Sequence, residues 1–232
     1  MNGPNAEHEA LFHIELQHHH IIRTFGLVKN DRPLIMLLQE RASHDDLQTL
    51  LQKVDFQPSA AVLKAIFLQI IDAMIYLTKQ GIVHGDLRCD NILVFEMNPS
   101  EPQRNRVKLT GFSLARRKNS DDVEYKLADT LVRFSAPEIL ENPDGANYSE
   151  LSDVYSMGVL MWVAFAKGEI PYGRRTSDHV IRQKILSSEK LSRPTECSEE
   201  LWAAIDACWT REIKIRSNFE YLQDHLLSID VR

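Results

Sequence analysis

The longest run of helical periodicity in the chain follows Pro58. Val62, Ile66, Ile70, Ala73 and Leu77 recur every three or four residues, with a second apolar line beside them. That spacing predicts a core helix opened by Pro58 and reaching about Thr78. Residues 5–17 carry acids early and Leu11, Ile14 and Leu16 as apolar positions, which predicts a shorter helix upstream. It is broken by His18, His19 and His20. Three consecutive histidines on a regular element cannot all face one ion, so the run is read as a polar turn and not as a metal centre. Two short apolar runs, Thr24 to Val28 and Pro33 to Leu38, flank a turn-like KNDR and predict a β-hairpin. The SHDDL beginning at Ser43 starts like an N-capped helix.

From 81 to 135 the pattern shortens. Ile92 to Phe95 and Val107 to Leu109 are β-prone runs on either side of a hydrophilic loop, 96–106. From 136 onward helical periodicity returns, punctuated by Pro143, Gly145, Pro171, Gly173 and Pro194. Val154 to Ala166 is the longest apolar-rich stretch, and it contains Ser156 and Gly158. A bilayer-spanning helix needs roughly 20 residues. This shorter segment is expected to be a helix buried on most sides.

Composition narrows the class. The 232 residues are 44% apolar and 26% charged, enough for one domain with a sizeable core. Disordered, collagen-like and disulfide-scaffold chains are excluded. The 33 acids against 27 bases give a net charge of -6, which argues against a nucleic-acid partner. Cys89, Cys197 and Cys208 lack metal-ligand spacing and are read as free thiols of a reducing compartment. The N-terminal MNGPNAEHEA has no apolar core of a signal peptide. A cytoplasmic protein with no membrane partner is expected.

The chemistry gathers in His84-Gly-Asp-Leu-Arg-Cys-Asp-Asn91. An Asp and an Asn five residues apart, on a loop between a buried helix and a short strand, suit phosphoryl transfer. The Asp can accept a hydroxyl proton while the Asn amide oxygen ligates Mg²⁺. The segments that follow decide the matter. Val107-Lys-Leu-Thr-Gly-Phe-Ser-Leu-Ala-Arg116, Phe134-Ser-Ala-Pro-Glu138, Ser152-Asp-Val-Tyr-Ser-Met-Gly158 and Cys208-Trp209 with Arg216 come in fixed order, and Glu9 lies nine residues before His18.

In these segments the sequence resembles the protein kinase family, on the tyrosine kinase side. They match the H-R-D-L-x-x-x-N loop, the D-F-G-L-A-R strand and turn, the A-P-E segment, the buried S-D-V-W-S-F-G helix, the C-W-x₆-R close and the helix-C glutamate. Arg88 and Val132-Arg-Phe are similar to tyrosine kinases, and Phe219-Glu-Tyr-Leu-Gln223 resembles Src-like kinases. The HG at 84–85 and the insert at 96–106 are similar to Janus pseudokinase domains. The resemblance implies an α+β kinase-like fold: a remnant of the small lobe over 1–39, made of helix C and a hairpin, and a mostly helical large lobe over 40–232. It implies ATP and Mg²⁺ as cofactors and a protein as partner or substrate. Asp86 would be the catalytic base and Asn91 a Mg²⁺ ligand. Glu9, Gln39 near the gatekeeper and Glu40 at the hinge would line the nucleotide site. Glu138, Asp153 and Arg216 would be structural, and Tyr125 an activation-loop phosphosite.

Three departures stand against activity. Eight residues precede Glu9 and none is Lys, so the Lys that would pair with Glu9 and hold the α- and β-phosphates is missing from its expected place. Gly111 stands where the D-F-G Asp belongs, which removes a carboxylate from the Mg²⁺ site. Only Asp90 or Asp86 could compensate, and only by a shift of the loop. Gly85 replaces the Arg that grips a phosphorylated activation loop, with Arg116 and Arg117 as nearby substitutes. The expectation is a catalytically impaired pseudokinase acting as a regulatory binding module. The alternatives are an active tyrosine kinase whose N-terminal strands are not in this chain, and an unstable gene fragment.

Overall fold

The structure, a computed structural model, describes residues 4–29, 35–53, 55–118, 129–142 and 148–231. Tyr125, Pro143, Gly145 and most of the KNDR turn lie outside them. Helix α1 (Pro4–Glu15) leads into the hairpin of β1 (Thr24–Lys29) and β2 (Ile35–Gln39). The two strands pair antiparallel, Leu27 opposite Leu37 and Val28 opposite Met36, with a bulge between Thr24 and Gly26. The α1 face differs from the expected one. Leu11 and Ile14 are exposed, whereas Ala10, Phe12, His13 and Leu16 are buried. An apolar side chain without a partner surface stays in solvent, and here the buried stripe includes a histidine.

Helix α2 (Leu47–Leu51) is capped by Asp46, whose Oδ1 accepts from Thr49 N at 2.9 Å; it begins later than the Ser43 expected. Helix α3 (Ala60–Lys79) is capped by Ser59, with Pro58 just outside. Its 20 residues and mean hydropathy of 1.8 satisfy the length and composition of a membrane span, more fully than the 154–166 stretch singled out from sequence. Ten of its apolar side chains are nonetheless buried inside the fold, Ile66, Phe67 and Ile71 completely. Strand β4 (Ile92–Glu96) pairs with β5 (Arg106–Leu109) across the polar loop, and β5 packs on α3. The two-residue strands β3 (Ile82–Val83) and β6 (Arg116–Arg117) also pair.

The remainder is helical: α4 (Pro137–Glu141), α5 (Glu150–Phe165), α6 (Asp178–Leu186), α7 (Glu199–Cys208) and α8 (Phe219–Ser228). In α5 every residue from Ser152 to Phe165 is buried, so it is the axis of the fold. Ser149 and Ser152 form a reciprocal capping box at its start. One connected apolar core runs from Phe12 and Leu16 through α3 and α5 to Leu226. The fold is α+β, with helices dominant.

Candidate functional site

The loop from His84 to Asn91 leaves β3 and enters β4 through a 3₁₀ turn, Cys89–Asn91. Its start is fixed from below by α5. The buried Asp153 carboxylate accepts from His84 N at 2.7 Å and from Gly85 N at 2.9 Å. Burial pushes the pKa of Asp153 up to about 7, against the pull of those two N–H groups. The ring of His84 is fully buried. Its Nε2 faces Thr110 O at 3.0 Å and its Nδ1 accepts from Asp86 N at 3.2 Å, which sets the Nε2–H tautomer. Burial lowers the pKa of His84 to about 4, so the ring is neutral near pH 7.

Asp86 and Asn91 are brought together. Asn91 Nδ2 donates to Asp86 O and to Asp86 Oδ2, both at 2.8 Å. Asp86 Oδ1 is buried and has no hydrogen-bond partner among the described residues. Burial raises the pKa of Asp86 to about 6, with the nearby Glu9 and Asp90 charges adding to it. Across from this pair, Gly111 adopts a left-handed backbone (φ 82°). A Cβ there would lie 2.4 Å from Asn91 Cγ and Oδ1. Asn91 thus fills the space beside position 111.

Helix α1 closes the other side. His13 packs edge-on against Phe112, with centroids 5.1 Å apart, and Phe112 packs in turn against His84 at 5.0 Å. Gln39 Nε2 contacts His13 Nδ1 at 3.2 Å and Thr24 Oγ1 at 3.1 Å, while His13 Nε2 lies 3.4 Å from Glu9. Sequence reasoning gave His13 no place in this site, although its i, i+4 spacing from Glu9 was an available signal. Glu40 is turned toward β1 and β5, accepting from Arg23 N at 2.7 Å and Lys108 Nζ at 2.5 Å. Gln39 and Glu40 therefore have their side chains engaged within the protein.

The expected substitutes for the missing Arg have other partners. A Cβ on Gly85 (φ 76°) would lie 2.9 Å from Leu114 O, so this loop conformation favours glycine. The Arg116 guanidinium lies 3.7 Å over the Tyr148 ring, and Arg117 Nη2 donates to both carboxylate oxygens of Glu15 on α1, at 2.5 and 2.6 Å. Asp90 faces Arg88 at 2.8 Å. Cys89 is buried and its thiol pKa is pushed up, which leaves it an unreactive thiol. Away from the loop, Arg216 grips Glu138 with bonds of 2.6 and 2.9 Å and also donates to Leu151 O and Thr210 O.

A Mg²⁺ ion needs near-octahedral oxygen ligands at about 2.0–2.1 Å, usually with one or two carboxylates. Here position 111 offers no carboxylate and Asp90 is tied to Arg88, which leaves the Asn91 amide oxygen with Asp86 as the one carboxylate beside it. Among the described residues no three His, Cys, Asp or Glu are grouped to hold a metal. The residues present do not fit Mg²⁺.

The family model for protein tyrosine and serine/threonine kinases matches residues 5–226. Among similar proteins, tyrosine-protein kinase Shark of Drosophila melanogaster is 31% identical over 93% of this chain and 22% of its own length. Tyrosine-protein kinase Btk of Drosophila melanogaster is 28% identical over 94% of the chain and 27% of its own length. Inactive tyrosine-protein kinase 7 of Homo sapiens is 28% identical over 91% and 20%. The chain thus spans about a quarter or less of the length of these relatives. Its fold and the order of its loop, turn and helix segments accompany a match that covers nearly all of it, and the chain belongs to the protein tyrosine and serine/threonine kinase family.

Proposed function

We propose that this tyrosine kinase-like domain is impaired in phosphoryl transfer and acts as a regulatory binding module for a protein partner. The observation that carries the reading is Gly111, which places no carboxylate beside Asn91. Phosphoryl transfer places a triphosphate under cationic groups and metal ions. This cleft instead keeps Asp86 and Glu9 near each other, with Glu9 against His13. In this reading 1–39 belongs to the small lobe and 40–232 to the large lobe. Asp86 retains the position of the proton acceptor, and Asn91 keeps its amide oxygen without the carboxylate at 111 that would share a metal with it. Gln39 and Glu40 border the former nucleotide site, while Asp153, Glu138 and Arg216 hold the frame. A cytoplasmic setting belongs to the same proposal and is supported by three buried free thiols.

The experiment is a phosphotransfer assay on purified 1–232, with ATP, Mg²⁺ or Mn²⁺, and a generic tyrosine peptide. The expected result is no incorporation above that of Asp86→Ala. Mg²⁺-dependent transfer that Asp86→Ala abolishes would overturn the proposal. One observation favours the second reading, an active kinase: the buried Oδ1 of Asp86 has an open acceptor site, and its pKa of about 6 suits a general base. The same assay separates the two.

A further inference from the structure

A groove of about 740 Å³ lies between the end of α1, the histidine turn, the start of β1 and Lys108 of β5, and it takes in no residue of the 84–91 loop. That volume falls within the roughly 300–1,000 Å³ of a built ligand site. Two of its lining residues are large apolar side chains left in solvent, Ile14 at 44% and Phe25 at 56% exposure. The Arg23 guanidinium sits over the Phe25 ring, 5.0 Å from its centroid, so the cation is held by the ring it covers. Arginine and aromatic side chains are the types on which interface energy concentrates.

The charges lining the groove are unevenly engaged. Glu40, its one acidic lining residue among those described, already accepts at Oε1 from Arg23 N at 2.7 Å and from Lys108 Nζ at 2.5 Å. His18 is turned to Asp72, 3.3 Å from Oδ2, and stacks on Tyr76. The Arg23 guanidinium forms no ion pair among the described residues, and the exposed His19 lines the same groove. In a chain of net charge -6 this is a local cationic spot beside exposed apolar surface.

We propose that this groove docks an acidic segment of a partner protein, with an apolar side chain of the partner resting on Ile14 and Phe25 and a carboxylate closing on Arg23. The planar fork of a guanidinium matches a carboxylate with two parallel N–H bonds. The proposal rests on the reading of the chain as a binding module and adds the chemistry of what it binds. An anionic membrane suits the site less well. The groove is concave, the Glu40 and Asp72 carboxylates lie among its cations, and the net charge of -6 opposes anionic lipid.

The test is fluorescence anisotropy of the full chain with a labelled peptide of Glu and Asp around a central Leu-Phe, and with a twin in which Lys replaces every acid. The acidic peptide should bind saturably, at least about tenfold more tightly than its twin, and weaken as salt is raised. Arg23→Glu should weaken it by about tenfold or more and Phe25→Ser by about fivefold. Leu38→Ala, on the same hairpin but outside the lining, should change it by less than about twofold. If Arg23→Glu does not fold, Arg23→Gln takes its place, with an expected loss of about fivefold. No saturable binding, equal affinity for the twin, or affinity that neither Arg23 variant alters would overturn the proposal. Binding to phosphatidylserine vesicles that the Arg23 variant abolishes would assign the groove to lipid and overturn it as well. Phosphotransfer by the parent chain would sink the binding-module reading without changing the anisotropy, and a groove that binds no acidic peptide leaves the phosphotransfer result as it stands.

Discussion

A carboxylate taken out of water holds its proton to higher pH, and Asp86 is such a group, with burial the largest cause of its shift to about 6. The folded chain then binds more protons than the unfolded chain between about pH 4 and pH 6. Stability from this group is present at low pH and is lost as pH rises through that window. Asp86→Asn should therefore match the parent near pH 4 and exceed it above pH 6, by about 2–3 kcal/mol. Urea unfolding at both pH values checks this, and a difference that does not change with pH contradicts it. His84 has the opposite sign. Its pKa falls from the ordinary 6.5 to about 4, so its contribution is lost as the solution is acidified below about 6.5. A second residue-scale prediction concerns the Glu138–Arg216 pair, where both side chains are almost wholly buried. Glu138→Ala leaves a buried guanidinium without its counter-charge and should cost about 3–5 kcal/mol, read from the denaturant midpoint.

The elements set how closely these residues can be held. Helix α5 presents Gly158 to α7, where a Cβ would fall 2.7 Å from Cys208 Cβ and from Trp209 Nε1. Gly158→Ala should therefore destabilise by about 1–3 kcal/mol in chemical unfolding, despite the better helix propensity of alanine. A neutral or stabilising outcome would show that the two helices can separate at small cost. Much at this scale was legible from sequence. The long period after Pro58 gave α3, the short apolar runs at 24–28 and 33–38 around KNDR gave the hairpin, and the Ser156- and Gly158-bearing stretch gave a helix buried on most sides. Other features were not legible, for physical reasons. Two-residue strands such as β3 and β6 have no period to read, and their pairing comes from loop placement by α5 and α1. Ser43 looked like a cap, but Asp46 faces the free N–H groups. The α1 stripe was misread because periodicity shows which residues share a face, not which face meets a partner. In the candidate site, residue types and spacing indicated Asp86 and Asn91 and the family resemblance pointed to Gly111, whereas the contact between Asn91 and residue 111 exists only once the chain turns back on itself.

At the scale of the whole molecule, the core is continuous but the surface of the first forty residues is not closed. Leu11, Ile14, Phe25, Val28, Met36 and Leu38 are all exposed on α1 and the hairpin. Exposed apolar side chains on a helix and a two-stranded hairpin favour association. Leu38→Lys should therefore raise the fraction of monomer in size-exclusion chromatography and leave the unfolding free energy within about 0.5 kcal/mol of the parent. A parent chain that is already monomeric and melts cooperatively would count against the unstable-fragment alternative. The central claim is that this kinase-family cleft has no metal clamp for a triphosphate, and thermal unfolding of the chain in millimolar ATP, with Mg²⁺ and then with EDTA, tests it most directly. The account predicts midpoints within about 1 °C of the nucleotide-free protein in both conditions. A saturable rise of about 5 °C or more that EDTA removes, as expected from ligand at roughly a hundred times its Kd, would contradict it.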